Sequence, residues 1–166
     1  MSTTGQRNGQ KAQDSSSLKA TRPERFFLIA AAACDGAIAV LHVYIISQGA
    51  WAYRWFGAGE AMATMAQEGS WIPALITSGI VVAALVAAAY YLSAAGLLPK
   101  PPLLRLGLFA VAAVYTLRGA FLFPALLIIR PISPFDVWTS LISLTIGLIH
   151  LAGAGLYWRR SRNRAR

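Results

Sequence analysis

The sequence predicts an all-α membrane protein with four transmembrane helices and both termini in the cytoplasm. Of the 166 residues, 57% are hydrophobic and only 13% are charged, whereas soluble domains are usually about 45–50% apolar. Four apolar runs also have the length of roughly 20 residues that a helix needs to cross a bilayer. The chain is therefore expected to be multi-pass.

The four apolar runs cover residues 26–48, 71–95, 103–129 and 135–158. Helices are expected because Ala, Leu and Ile dominate and because isolated strands leave backbone groups unsatisfied in lipid. Residues 1–25 are polar and rich in Ser and Gln, so we expect a disordered basic tail. Residues 159–166 are expected to form a second basic tail.

Proline, serine and aromatic residues mark the ends of these runs. Ser133, followed by Pro134 and Asp136, has the pattern of a capped helix start. Pro124 removes a backbone donor and predicts a kink in the third helix. A short interfacial helix is expected between the first two spans. The aromatics expected at the membrane interfaces are Trp51, Tyr53, Trp55, Trp71 and Trp158.

The orientation follows from the distribution of Lys and Arg. Twelve of the fifteen lie on the side that holds both tails and the loop between the second and third runs. Only Arg54 and Arg130 lie on the other side, while Arg118 lies within a run. Because positively charged loops stay in the cytoplasm, we expect a multi-pass protein with N-in and C-in topology.

Composition also argues against several classes of function. The net charge of +9 is crowded into tails and one loop, so a nucleic-acid partner is not expected. The single cysteine, Cys34, excludes an internal disulfide and four-cysteine metal sites. Two histidines are too few for an ordinary metal site. We therefore predict no metal, no cofactor and no catalytic motif.

The candidate site consists of polar residues at membrane depth. An ionisable group at the centre of a membrane helix costs about 2.5–3.5 kcal/mol, so each one requires a partner, water or the bundle interior. At about 1.5 Å per residue, Asp35 and His150 lie at roughly equal depth, and His42 and Arg118 form a second layer farther from the cytoplasm. The sequence thus predicts two polar layers.

Arg118 raises the main question, because it interrupts an otherwise apolar run. Helical side chains tilt toward the N-terminus, which favours a buried pair with Asp35 and a contact with Tyr115. The alternative is that the long side chain snorkels to the outer surface. These residues predict a small polar pocket open to the outside.

The fourth run carries a stripe of small and polar residues spaced three and four apart. Ser140, Ser143, Gly147 and His150 lie on it. Such a stripe favours close helix packing, within the chain, in a homo-oligomer or with another membrane protein. For His42 and His150, an interhelical hydrogen bond is favoured over proton transfer or metal binding.

Three short segments carry a resemblance to a known group of proteins. They are Leu41-His-Val-Tyr44, Leu117-Arg-Gly119, and Ser140-Leu-Ile-Ser143 with Gly147-Leu-Ile-His150. Residues 25–158 resemble small bacterial four-helix integral membrane proteins of an uncharacterised family. The resemblance implies the same topology, in a bacterial cytoplasmic membrane, and no activity or cofactor.

Three functions remain open on these observations. The first is a binding or permeation module for a small polar or anionic ligand at Arg118, His42 and Asp35. The second is a non-catalytic helper subunit of another membrane protein. The third is an intramembrane enzyme using a histidine as acid or base. The enzyme ranks last because no nucleophile or metal set accompanies the histidines.

Overall fold

The computed structural model describes residues 20–128 and 133–163, and every regular element in these ranges is a helix. In chain order they are α1 (Arg22–Gln48), α2 (Ala50–Trp55), α3 (Glu60–Gln67), α4 (Ile72–Ala94), α5 (Leu104–Ala120), α6 (Leu122–Ile128) and α7 (Pro134–Asn163). Four segments are long and apolar enough to cross a membrane: α1, α4, α5 continued to Pro124, and α7. The predicted all-α, four-span fold is confirmed.

Two helices extend into segments that the sequence analysis placed in disordered tails. α1 begins at Arg22, because Thr21 caps it by accepting a hydrogen bond from the Glu24 amide at 3.4 Å. α7 continues to Asn163, and its Arg160 is anchored on α1 and α4. Residues 22–25 and 159–163 are therefore helical. The remainder of each predicted tail, residues 1–19 and 164–166, lies outside the described residues.

The third predicted span is divided in two. α5 ends at Ala120, a turn follows at Phe121, and α6 resumes at Leu122. Pro124 cannot donate to the carbonyl of Ala120, so the helical hydrogen-bond series is broken at this point. The start of α7 agrees with the predicted cap, since the Ser133 hydroxyl accepts from the Asp136 amide at 3.1 Å and donates to the Asp136 carboxylate at 2.7 Å.

The loop between the first two spans folds into the short helices α2 and α3. The short helix predicted between the first two spans is present as α3, and Arg54 of α2 donates to its Glu60 from both Nε and Nη2, at 2.7–3.0 Å. Tyr53, which was predicted to lie at the interface, is instead buried between α1, α3 and α4. Trp51 and Trp55 remain exposed.

The four spans form an antiparallel bundle. The most extensive contacts join α1 to α4 and α5 to α7, α1 also packs on α7, and a narrower contact joins α4 to α5. α1 and α5 therefore lie on a diagonal. We call the end where α1 and α5 begin and α4 and α7 finish the basic end. The core nearest that end includes Leu28, Tyr91, Leu108 and Ala154.

The small residues of α7 form the contact with α5. A Cβ placed on Gly147 would lie 2.5–2.8 Å from the hydroxyl oxygen, amide nitrogen and Cα of Thr116. A Cβ on Gly119 of α5 would collide with the backbone of Leu144. The predicted packing seam is thus used inside the chain, and a partner docking on this face would have to displace α5.

Candidate functional site

Each of the four spans contributes one side chain to a buried polar cluster. Its members are Asp35 of α1, Tyr91 of α4, Tyr115 of α5 and His150 of α7. Asp35, Tyr91 and His150 are each 0% exposed. A charge-bearing group in such a place requires a complete set of partners, because neither water nor lipid can solvate it there.

Asp35 is hydrogen-bonded to side chains of two other spans. The Tyr115 hydroxyl donates to Oδ1 at 2.9 Å, and His150 Nε2 lies 3.2 Å from Oδ2. The Tyr115 bond crosses the diagonal of the bundle, between two spans that have little mutual packing. The carboxylate therefore links three spans through side chains alone.

The contact of His150 Nδ1 fixes how many protons Asp35 and His150 share. His150 Nδ1 lies 2.8 Å from the carbonyl oxygen of Ile146, which can only accept, so Nδ1 carries a hydrogen. The contact between Nε2 and Oδ2 requires another hydrogen, on one atom or the other. Asp35 and His150 together therefore hold two protons, either as an ion pair or as two neutral groups. In both arrangements the pair has zero net charge.

Aromatic side chains enclose the imidazole. The Tyr91 ring meets that of His150 edge to face at 4.5 Å between centroids, and the Tyr115 ring lies at 5.0 Å. The Tyr91 hydroxyl donates to the carbonyl of Leu108 at 2.7 Å and lies 3.3 Å from that of His150. Both nitrogens of His150 are engaged and its ring is covered, so no atom of it faces a substrate in this conformation.

Arg118 lies apart from this cluster. It occupies the last turn of α5, its side chain is exposed, and its Nε donates to the buried Ser143 hydroxyl at 3.1 Å. The predicted Arg118 and Asp35 pair is not formed, because His150 and Tyr115 occupy the carboxylate. Arg118 lies near the end of a helix because α5 finishes at Ala120, two residues later. The residues expected to continue the span belong to the separate helix α6. A cation in the last turn also interacts favourably with the free carbonyls there.

His42 does not join Arg118 in a second layer of mutual contacts. Its Nδ1 donates to the carbonyl of Ile38, one turn earlier in α1, at 2.7 Å, and the ring is half-buried. The interhelical hydrogen bond expected for His42 is thus replaced by an intrahelical one, while His150 makes the interhelical contact. Of the six predicted site residues, Asp35, Tyr115 and His150 come together, and Ser143 joins Arg118.

Tyr91 is a member of the cluster that sequence analysis missed. A tyrosine near the end of an apolar run is also typical of an interfacial anchor, and nothing in its neighbourhood marks it as central. A second missed contact pairs Arg160 with Glu24 at 3.0 Å, with Glu24 only 1% exposed. Thr21, three residues before Glu24, signals the start of α1 in the pattern of a helix cap, but no sequence pattern signals Arg160 as the partner of Glu24.

Within residues 20–128 and 133–163, no group of three or more His, Cys, Asp and Glu side chains is placed to hold a metal ion. Neither the protein-family models, nor the curated proteins, nor the solved structures compared with this chain match it. Its function is therefore inferred from the geometry of the chain itself.

Proposed function

We propose that the protein is a small, non-catalytic integral membrane module that binds an anionic group at Arg118. In this proposal, the basic end lies in the cytoplasm of a bacterial cell and the Arg118 end faces outward. Membership of the four-helix family suggested by the sequence remains part of this proposal.

The observation that carries the proposal is the incomplete pairing of Arg118. The three ion pairs among the described residues join Arg54 to Glu60, His150 to Asp35 and Arg160 to Glu24. Arg118 belongs to none of them, and within the described ranges its hydrogen bond runs from Nε to Ser143. A guanidinium is a planar fork suited to carboxylate or phosphate. Ser143 orients this fork through one nitrogen and leaves the two terminal nitrogens for a ligand.

This site has fewer residues than the polar pocket that the sequence predicts around Arg118, His42 and Asp35. Asp35 is bonded to Tyr115 and His150 in the buried cluster, so it does not compete with an anionic ligand for Arg118. Arg118 takes part in none of the described ion pairs, so its own positive charge favours an anion over a cation as the ligand. His42, whose ring is half-buried and bonded within its own helix, is not assigned to this site.

The proposal can be tested with soluble anions on the detergent-solubilised protein. Inorganic phosphate and acetate are titrated against wild type, Arg118→Gln and Arg54→Gln, and the unfolding temperature is recorded. Arg54→Gln removes the same charge near the same end of the bundle. We expect at least one anion to stabilise wild type and Arg54→Gln but not Arg118→Gln, because ligand binding raises stability by mass action. An equal shift in Arg118→Gln, or no shift in wild type, would contradict the proposal.

The helper-subunit alternative has its own supporting observation. Val114, Leu117 and Phe121, all exposed, lie near Arg118 in sequence on α5 and its end, so the charge adjoins an apolar surface suited to a second helix. The anion would then be a carboxylate within a partner's span. Loss of one defined membrane partner from the purified Arg118→Gln protein, together with no response to soluble anions, would favour this function.

A further inference from the structure

A groove opens at the basic end of the bundle, opposite the Arg118 site. Its volume is about 470 Å³, and it lies between the loop after α4, the first turn of α5 and the last turns of α7. Its lining residues are Lys100, Pro101, Leu103, Leu104, Arg105, Leu106 and Tyr157. The groove thus combines two cations with a leucine-rich wall.

Neither cation is neutralised by an acid among the described residues. Lys100 and Arg105 are exposed and take no part in the three ion pairs of residues 20–128 and 133–163. The Arg105 guanidinium lies 5.4 Å above the Trp158 ring, a contact that holds the side chain while leaving its N–H edge free. Tryptophan favours the headgroup level of a bilayer, so this contact places the groove at the membrane surface.

The backbone adds further positive potential. α5 begins without a side-chain cap at Leu103, and the first amides of a helix have no partner within it. The loop that leads into α5 is held to α4 by the Tyr90 hydroxyl, which donates to the Pro102 carbonyl at 3.3 Å. Leu103 has a left-handed backbone with φ of 54°, which turns the chain sharply into the helix. Lys100 and Arg105 are thereby brought to one groove.

We propose that this groove binds an anionic phospholipid of the surrounding bilayer. The phosphate lies between Lys100, Arg105 and the start of α5, and an acyl chain follows the leucine wall. The apolar part decides for a lipid over a free phosphate, because Leu103 and Leu106 are 73% and 64% exposed beside the cations. Basic grooves between spans on the cytoplasmic side are suited to such headgroups. This site is independent of the Arg118 proposal.

The test is native mass spectrometry of the solubilised full chain with dioleoyl phosphatidylglycerol or dioleoyl phosphatidylcholine. The groove variant is Lys100→Gln with Arg105→Gln; the matched control is Arg22→Gln with Arg25→Gln, which removes two exposed charges from α1 at the same end. We expect phosphatidylglycerol to bind wild type and control more tightly than phosphatidylcholine. The groove variant should lose roughly tenfold to thirtyfold in phosphatidylglycerol affinity.

The unfolding temperature without lipid shows whether each variant is folded. Should the double variant not fold, Lys100→Gln alone is used, because its side chain lies in an exposed loop; a loss of roughly threefold to fivefold is then expected. Equal affinity for the two lipids, an unchanged affinity in the folded groove variant, or an equal loss in the control would overturn the proposal. Inorganic phosphate that displaces the lipid at millimolar concentration would overturn the lipid as the ligand.

Discussion

At the scale of single residues, the buried cluster shows how one carboxylate is accommodated in an apolar bundle. Asp35 is satisfied by a hydroxyl, a ring nitrogen and a shared proton, rather than by the arginine that the sequence offers. The helical rise along α1 and α7 predicts that Asp35 and His150 lie at the same depth, and the two are in contact. Depth depends only on helical rise. The depth of a residue does not reveal which side chain faces Asp35, since that depends on how each helix is rotated about its own axis.

The cluster predicts strong coupling between Asp35 and His150. His150→Leu leaves Asp35 buried without its proton-sharing partner, and losing one member of a buried pair costs about 3–5 kcal/mol. The double variant Asp35→Leu with His150→Leu removes both groups, so we expect it to unfold at a higher temperature than the His150→Leu single variant. Thermal unfolding of the four solubilised proteins measures this coupling.

The matched comparison is the same cycle with Arg118→Leu in place of His150→Leu. Arg118 and Asp35 have separate partners, so their two effects are expected to add within about 0.5 kcal/mol. Additive losses for Asp35 and His150, or a strong coupling of Asp35 with Arg118, would contradict this set of partners.

At the scale of elements, a helix end could be predicted from the sequence only where it leaves a local pattern of residues. Ser133 marked the start of α7 because a cap leaves a local pattern of residues. The end of α5 at Ala120 was less apparent, since Phe, Leu and Ile continue on both sides of the break. The first and last turns of the bundle were missed because Glu24 and Arg160 resemble ordinary tail charges until they are brought together by the fold.

The α5 and α7 contact predicts an intolerance of volume at Gly147. A Cβ there would overlap Thr116, so Gly147→Ala forces the helices apart, and overpacking of this kind typically costs about 1–3 kcal/mol. A Cβ added to Gly155, also in α7, would have no heavy atom of a neighbour within 4 Å. Gly155→Ala is therefore expected to be neutral or stabilising by up to about 1 kcal/mol. Thermal unfolding separates the two; equal effects would place Gly147 outside the contact.

The clasp formed by Arg54 of α2 and Glu60 of α3 predicts that the stability of this segment depends on pH. The hydrogen bond from Arg54 lowers the pKa of Glu60, and the same bond raises the pKa of Arg54. A lowered carboxyl pKa stabilises the folded clasp above the unfolded pKa, and this contribution disappears as pH falls through the folded value. We expect residues 50–67 to open more often in acid than at neutral pH, by no more than roughly fivefold, because an exposed ion pair contributes little stability. Hydrogen exchange, corrected for its intrinsic pH dependence, measures the opening.

The control for the clasp is Glu68→Gln, which removes a nearby acid that has no part in the ion pair. It should keep the acid transition, whereas Glu60→Gln should exchange at neutral pH about as fast as wild type does in acid. An acid transition that persists unchanged in Glu60→Gln would assign it to another group.

At the scale of the whole molecule, composition and charge distribution were sufficient to predict the four-span architecture. Each span is long enough to cross the bilayer, and hydropathy depends on composition rather than on the partners a helix will meet. The arrangement of the spans was not predictable in this way. Which helices are neighbours depends on close fits such as Gly147 against Thr116, and many arrangements of apolar helices share the same hydropathy.

The same charge distribution predicts the orientation of the bundle. Lys100 and the arginines of α7 share the basic end, whereas the opposite end holds Arg54, already paired with Glu60. Positive loops resist translocation, so a reporter fused after Arg166 and one inserted after Lys100 are expected to be active in the cytoplasm. A tag inserted at Gly59, in an exposed turn before α3, should be accessible from outside. As a control for leaky membranes, a tag after Lys100 must remain inaccessible in the same cells. A C-terminus on the outer face would reverse the charge rule for this chain, move the lipid groove to the other leaflet and direct Arg118 toward the cytoplasm.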